Sequence, residues 1–182
     1  MVKNRKTAIV VGILILLAYA VLVSAFTDSK VFVFLFEVIS GLAVIGIAVL
    51  MFPYFKKYKK SSMTYISLKF VEGILMVIVG LLFLSSQLKS LRDPIYVVHA
   101  YIFILSAFIF YVLLFNTKII PKWISIWGMM GSVLLLIRNL LEIITTPATF
   151  ILAMTYGPIV LNEIVLALWL IIIGFDLNQK KI

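Results

Sequence analysis

The sequence contains no cysteine. That excludes disulfides, thiolate metal sites and cysteine nucleophiles. It contains one histidine, His99, which is too few for a zinc centre of three or four protein ligands or for paired-histidine haem ligation. Charge is also scarce: 13% of the 182 residues are charged, against about 25% in a soluble domain. No glycine-rich phosphate cradle is present. Neither is a Gly-x-Ser-x-Gly elbow, and Ser40, Ser125 and Ser132 have no histidine near them in sequence. Glu72 and Glu163 as a carboxylate metal pair lack the Glu-x-x-His spacing that accompanies such sites. No metal or cofactor is therefore implied, and no reaction can be read from the chain.

What fills the sequence instead is apolar. Hydrophobic residues make up 64% of it, and the mean hydropathy is +1.23. Several apolar runs reach the roughly 20 residues that cross a bilayer. The expected fold class is all-α, a six-transmembrane-helix bundle forming a single integral membrane domain over residues 1–182, with spans near 7–26, 31–54, 63–85, 94–115, 122–145 and 150–175. The first run follows Lys3, Arg5 and Lys6 and ends near Val23-Ser24-Ala25, like a signal peptide. It exceeds the usual apolar core of about 7–15 residues and is expected to be a retained span. Pro53 and Lys56–Lys60 mark the end of span two, Ser61 or Ser62 a cap for span three, and Asp93-Pro94 the start of span four. Gly157-Pro158 interrupts span six, so it is either one kinked helix from near Phe150 or a helix starting near Pro158.

The net charge of +9 reads as topology rather than as nucleic-acid binding, because basic loops set membrane orientation. With both termini cytoplasmic, the inner segments hold eleven basic residues (Lys3, Arg5, Lys6, Lys56, Lys57, Lys59, Lys60, Lys118, Lys122, Lys180 and Lys181) and the outer loops hold three, Lys30, Lys89 and Arg92. Trp123, Trp127 and Trp169 then lie toward the inner interface. The expected location is the cytoplasmic membrane. Membrane lipids are the expected surroundings, and a homo-oligomer is compatible with the sequence.

The acidic residues are sorted. Asp28, Asp93 and Asp176 fall in loops or at helix ends, whereas Glu37, Glu72, Glu142 and Glu163 fall inside spans, together with Lys69, Arg138 and His99. A charge at the bilayer centre costs about 2.5–3.5 kcal/mol or more, so these groups are expected to face one another or a wet cavity. On a rise of about 1.5 Å per residue, Glu37, His99 and Arg138 lie roughly 8–11 Å below the outer ends of three different spans. Arg138 and Glu142 share a helix face, as do Tyr156 and Glu163. Lys69 can pair with Glu72 or snorkel. Four carboxylates against two fixed cations leave an excess of two negatives. Access to interfacial water, a charged His99 or a neutral carboxyl could each balance it. The candidate site is Arg138, Glu163, Glu72, His99, Asn139, Tyr156 and Glu37, forming an outward-facing polar pocket for a small ligand, a lipid headgroup or a proton. The alternatives are a purely structural polar network in an accessory or interaction protein, and an intramembrane enzyme using Glu72 or Glu163.

Ile120-Pro-Lys-Trp-Ile-Ser-Ile-Trp-Gly128 resembles the Ile-Pro-Arg-Trp-Leu-Ser-x-Trp-Gly motif of a prokaryotic membrane family catalogued as domain of unknown function 4386. Lys69-Phe-Val-Glu72-Gly73 is similar to its Arg-x-x-Glu-Gly element, and Pro158 through Glu163 to Phe175 resembles its closing segment. Lys69 stands where the resemblance leads one to expect arginine, and Ile173 where it leads one to expect lysine. The resemblance implies six spans and points to Glu72 and Glu163. It implies no substrate.

Overall fold

The computed structural model describes residues 2–27, 29–85, 88–144 and 149–176. Asp28, residues 145–148, and Lys180 and Lys181 lie outside the described residues, and so do the side chains of Lys3, Lys89 and Val23-Ser24-Ala25. Among the described residues there is helix and no strand. Six α-helices follow in order: α1 (Val2–Ala18), α2 (Lys30–Phe55), α3 (Lys59–Leu84), α4 (Arg92–Thr117), α5 (Lys122–Ile144) and α6 (Thr149–Ile172). Each packs on its neighbours in sequence, and α6 closes onto α1, so the six form a ring.

Among the described residues, the helices that are long and apolar enough to cross a membrane number five, not six: Asn4–Leu22, Lys30–Leu84, Arg92–Thr117, Lys122–Ile144 and Met154–Ile172. The difference arises at the expected loop around Lys56–Lys60. There the chain stays helical, passing from α2 through a 3-10 turn, Lys56–Tyr58, directly into α3. Pro53 sits inside α2, and neither Ser61 nor Ser62 caps α3, which begins earlier at Lys59. The resulting 55-residue stretch nevertheless doubles back, because Gly41 lies against Gly73 while Glu37 lies against Gly80. α4 likewise starts two residues before its expected proline, so Asp93 lies in the first turn rather than capping it. Pro94 is tolerated there because the first-turn N–H groups have no helical acceptor. α6 is a single helix with Pro158 inside it.

Polar and apolar groups are distributed as lipid requires. The outward surface is apolar, from Leu42 on α2 to Met130 on α5 and Leu161 on α6. The polar side chains Glu37, Ser40, Lys69, Glu72, Ser106, Ser125, Ser132, Asn139 and Asn162 are buried. In hydrocarbon an unpaired polar group has no water to turn to, so such groups collect between helices.

The end of the ring where α1 begins and α6 finishes is tied shut. Arg5 donates to the carbonyls of Ile171 and Ile172 at 3.1 and 2.6 Å, giving the last turn of α6 a cationic partner. Tyr54 donates to Asn4 Oδ1 at 3.1 Å, Tyr58 to the Asn116 carbonyl at 3.2 Å, and the Asp176 N–H to the Ile119 carbonyl at 2.8 Å. Just above these ties, Phe55, Tyr65, Phe110 and Tyr111 form a buried aromatic layer with ring centroids 5.2–6.0 Å apart.

Close helix approach depends on missing side chains. A Cβ at Gly41 would lie 2.6 Å from the Gly73 carbonyl oxygen. A Cβ at Gly128 would collide with the Tyr111 ring, which is the physical reason for a glycine at the end of the Trp127-Gly128 motif. Gly41→Ala and Gly128→Ala should each destabilise by about 1–3 kcal/mol through overpacking. Gly157→Ala, which meets nothing within 4 Å, should leave the melting temperature unchanged or raise it. Thermal unfolding of the three variants in one detergent checks this.

Candidate functional site

The half of the ring away from the tied end is hollow. A cavity of about 610 Å³ lies there, lined by residues from all six helices. α1 does not continue as α-helix into this half; it tightens into a 3-10 helix, Tyr19–Phe26, which brings Tyr19, Val21 and Leu22 to the cavity wall. α4 contributes Tyr96, His99 and Phe103, α5 Leu135, Arg138 and Asn139, and α6 Tyr156 and Glu163. Glu72 reaches in from α3. Beneath the main space is a void of about 40 Å³ that shares Glu72 and Glu163 with it and adds Lys69, Tyr65 and Tyr111.

Six of the seven candidate residues therefore lie around one cavity: Arg138, Glu163, Glu72, His99, Asn139 and Tyr156. Glu37 does not join them. It is fully buried between α2 and α4, where Arg92 Nη2 lies 3.2 Å from its Oε1. The sequence reading places Arg92 in an outer loop. In the structure it opens α4 and turns inward, because a buried carboxylate without a cation would be far costlier than one helical turn of adjustment. Arg92 lines a second opening of about 420 Å³ that shares Val21, Leu22 and Tyr96 with the main cavity.

The charged groups repeat one arrangement. Lys69 Nζ lies 3.0 Å from both oxygens of Glu72 and 5.3 Å from the centre of the Phe103 ring. The guanidinium of Arg92 meets Glu37 and sits 5.1 and 5.2 Å over Phe83 and Tyr96. Arg138 Nη2 lies 2.6 Å from Glu142 Oε1, at a partly exposed rim, and its guanidinium is 5.7 Å over Tyr156. Each cation is held between a carboxylate and an aromatic face, two attractions that strengthen away from water. The pairing also settles Lys69: it pairs with Glu72 rather than snorkelling.

Glu163 departs from this pattern. Its Oε2 accepts a hydrogen bond of 2.7 Å from the Tyr19 hydroxyl, and among the described residues no lysine or arginine lies within ion-pair distance of it. Lys69 and Glu72 border the same small void as Glu163 and are paired with each other. His99 presents a buried Nε2 with no partner, its ring edge-on to Tyr96 at 5.6 Å. The hydroxyls of Tyr65 and Tyr111 are likewise buried and unpartnered. Among the described residues no three histidines, cysteines or acidic residues group as a metal site would require.

Several of these residues are not marked in the sequence. Tyr19 and Tyr96 read as aromatics in apolar runs. Ser106, which donates to Glu72 Oε2 at 2.6 Å, reads as a small residue in a span. Only its being polar where lipid is expected could have singled it out.

The profile of the family described as "Domain of unknown function (DUF4386)" matches residues 83–174. The chain belongs to this family. The match spans α4, α5 and α6 and so includes Arg92, His99, Arg138, Asn139, Tyr156 and Glu163. Glu37, Lys69, Glu72 and Tyr19 lie before it. No curated protein and no solved structure matches the chain. Within the DUF4386 segment, the Ile120–Gly128 and Pro158–Glu163 motifs meet: buried Asn162 donates through Nδ2 to the Ile124 carbonyl at 2.9 Å, locking α6 onto α5.

Losing one partner of a buried ion pair leaves the other charge uncompensated, at about 3–5 kcal/mol. Lys69→Met should therefore destabilise by about that much. The double variant Lys69→Met/Glu72→Gln should recover most of the loss, because the uncompensated charge is gone. Unfolding titrations of the single and double variants give the comparison.

Proposed function

We propose that this DUF4386 protein is a membrane-embedded binding protein. Its central cavity takes a small, largely apolar molecule bearing one polar head, and the molecule reaches it from the end opposite the tied one. The observation that carries the reading is the gathering of six polar or charged candidate residues around a single space of about 610 Å³. That volume falls within the roughly 300–1,000 Å³ of small-molecule sites, which are mostly apolar with a few convergent polar groups. Its walls here include Val21, Leu22, Val44, Met76 and Leu135 beside the polar groups. A closed lower half and a hollow upper half suit holding a ligand, or one access state of a transporter, better than an open channel.

The test is retention of a bound molecule through gentle extraction, read by native mass spectrometry. Ala100→Trp, which fills the cavity, and Arg138→Ala, which alters its rim, should reduce the bound mass at least severalfold while the protein still folds. Unchanged retention in both would refute the cavity as the site. A second reading applies to Glu37 and Arg92, which meet away from the main cavity: their pairing serves packing, and Arg92→Met should lower stability without changing ligand retention.

The same proposal places the chain in the cytoplasmic membrane of a prokaryote with six crossings, α2 and α3 counting as two. About 55 residues of helix would be roughly 80 Å long if straight, far beyond a bilayer of about 30 Å. The termini then lie inside and the cavity opens outward. Because the chain has no cysteine, single introduced thiols report topology cleanly. Ser90→Cys should react with an impermeant maleimide on intact cells, and Lys57→Cys and Asn116→Cys only after permeabilisation. The reverse pattern would invert the topology.

A further inference from the structure

Three carboxylates in this protein each have a fixed cation, and each cation rests on an aromatic ring: Glu72 with Lys69 and Phe103, Glu37 with Arg92 and Tyr96, Glu142 with Arg138 and Tyr156. Glu163 lies among aromatic side chains but, among the described residues, has no cation at ion-pair distance. Tyr19 donates to it at 2.7 Å, Tyr65 and Tyr111 line the small void it borders, and Tyr156 lines the main cavity beside it. With Glu72 paired to Lys69 and Arg138 paired to Glu142, an ionised Glu163 leaves one net negative charge at the cavity among the described residues.

We propose that Glu163 is the cation-recognising group of the cavity and that the ligand is a lipophilic ammonium compound, its N–H groups donating to Glu163 and its apolar body lying against Val44, Met76 and Leu135. The inference rests on the cavity being a binding site and adds the chemical class of its occupant. The ammonium would complete a fourth carboxylate–cation–ring unit by the same physics as the other three. His99 Nε2, buried and unpartnered on the same cavity wall, is a second acceptor for an ammonium hydrogen when the imidazole is neutral. Arg138 does not select an anion in this arrangement, because Glu142 already occupies its Nη2 at the rim.

The experiment compares three probes of one shape, 4-phenylbutylamine, 4-phenylbutanol and 4-phenylbutyrate, on the purified full chain in a nonionic detergent. Affinity is read from the concentration dependence of the melting temperature. The amine should bind about tenfold or more tightly than the alcohol, as one charge-assisted hydrogen bond implies, and the butyrate least tightly. Glu163→Gln should abolish the preference of amine over alcohol, while Asp176→Asn at the tied end, away from the cavity lining, should keep it. Equal binding of amine and alcohol to the native protein, or a preference for butyrate, overturns the proposal while leaving the cavity a binding site. That comparison needs no variant, so a Glu163→Gln protein that failed to fold would not blunt it. If no probe shifts the melting temperature and a retained molecule seen by mass spectrometry carries no basic nitrogen, the cation assignment also fails.

Discussion

A carboxylate enclosed by helices that face hydrocarbon must find a positive charge, a proton or water. That requirement organises this protein. Glu72 and Glu37, both buried, have each drawn a cation from the chain, and each cation has in turn drawn an aromatic ring. The ring matters because a lone ammonium or guanidinium, once stripped of water, recovers only part of its hydration energy from one carboxylate. The quadrupole of an aromatic face supplies more. The hydroxyl of Ser106 completes Glu72, whereas Glu37 keeps one oxygen unsatisfied. These units pin α3 to α4 and α2 to α4.

The two halves of the ring divide the work. At one end Arg5, Tyr54, Tyr58 and the chain around Asp176 bind the helix ends together over a layer of packed aromatics, and glycines let α2 meet α3 and α4 meet α5 closely. At the other, α1 gives way to a 3-10 helix and the helices part around a cavity. Packing that is dense on one side and loose on the other gives a site with a floor. Glu163 and Glu72 stand near that floor, shared between the cavity and the void below it. Tyr65 and Tyr111 bridge the two regions, with rings in the aromatic layer and hydroxyls among the unpartnered polar groups.

Much of the candidate site was legible because lipid makes polar residues conspicuous. Arg138, Asn139, His99, Tyr156, Glu72 and Glu163 stand out against apolar runs, and helical periodicity places them at usable depths. Arg92 was misplaced because its neighbours Asp93 and Pro94 look like a helix start and positive charges near span ends look like topology signals. Neither signal tells that the side chain turns inward toward Glu37, which is 55 positions away in sequence. Glu37 falls outside the main cavity lining, since depth alone does not say which helix face a residue occupies relative to the cavity. The link between α2 and α3 was read as a loop because lysines and a nearby proline usually mark one, yet a 3-10 turn reverses the chain without leaving helical geometry.

Composition and hydropathy by themselves settled that the chain is helical, that long apolar stretches suited to a membrane make up most of it, and that its few internal charges must look inward. Those conclusions need only the free energy of moving side chains between water and hydrocarbon, which depends on residue type and local run length. Tertiary structure alone decided that Glu37 meets Arg92, that Glu163 is left with a tyrosine instead, and that one half of the ring is filled while the other is hollow. Such pairings depend on distances of 3–6 Å between helices far apart in sequence, and no local pattern encodes those distances.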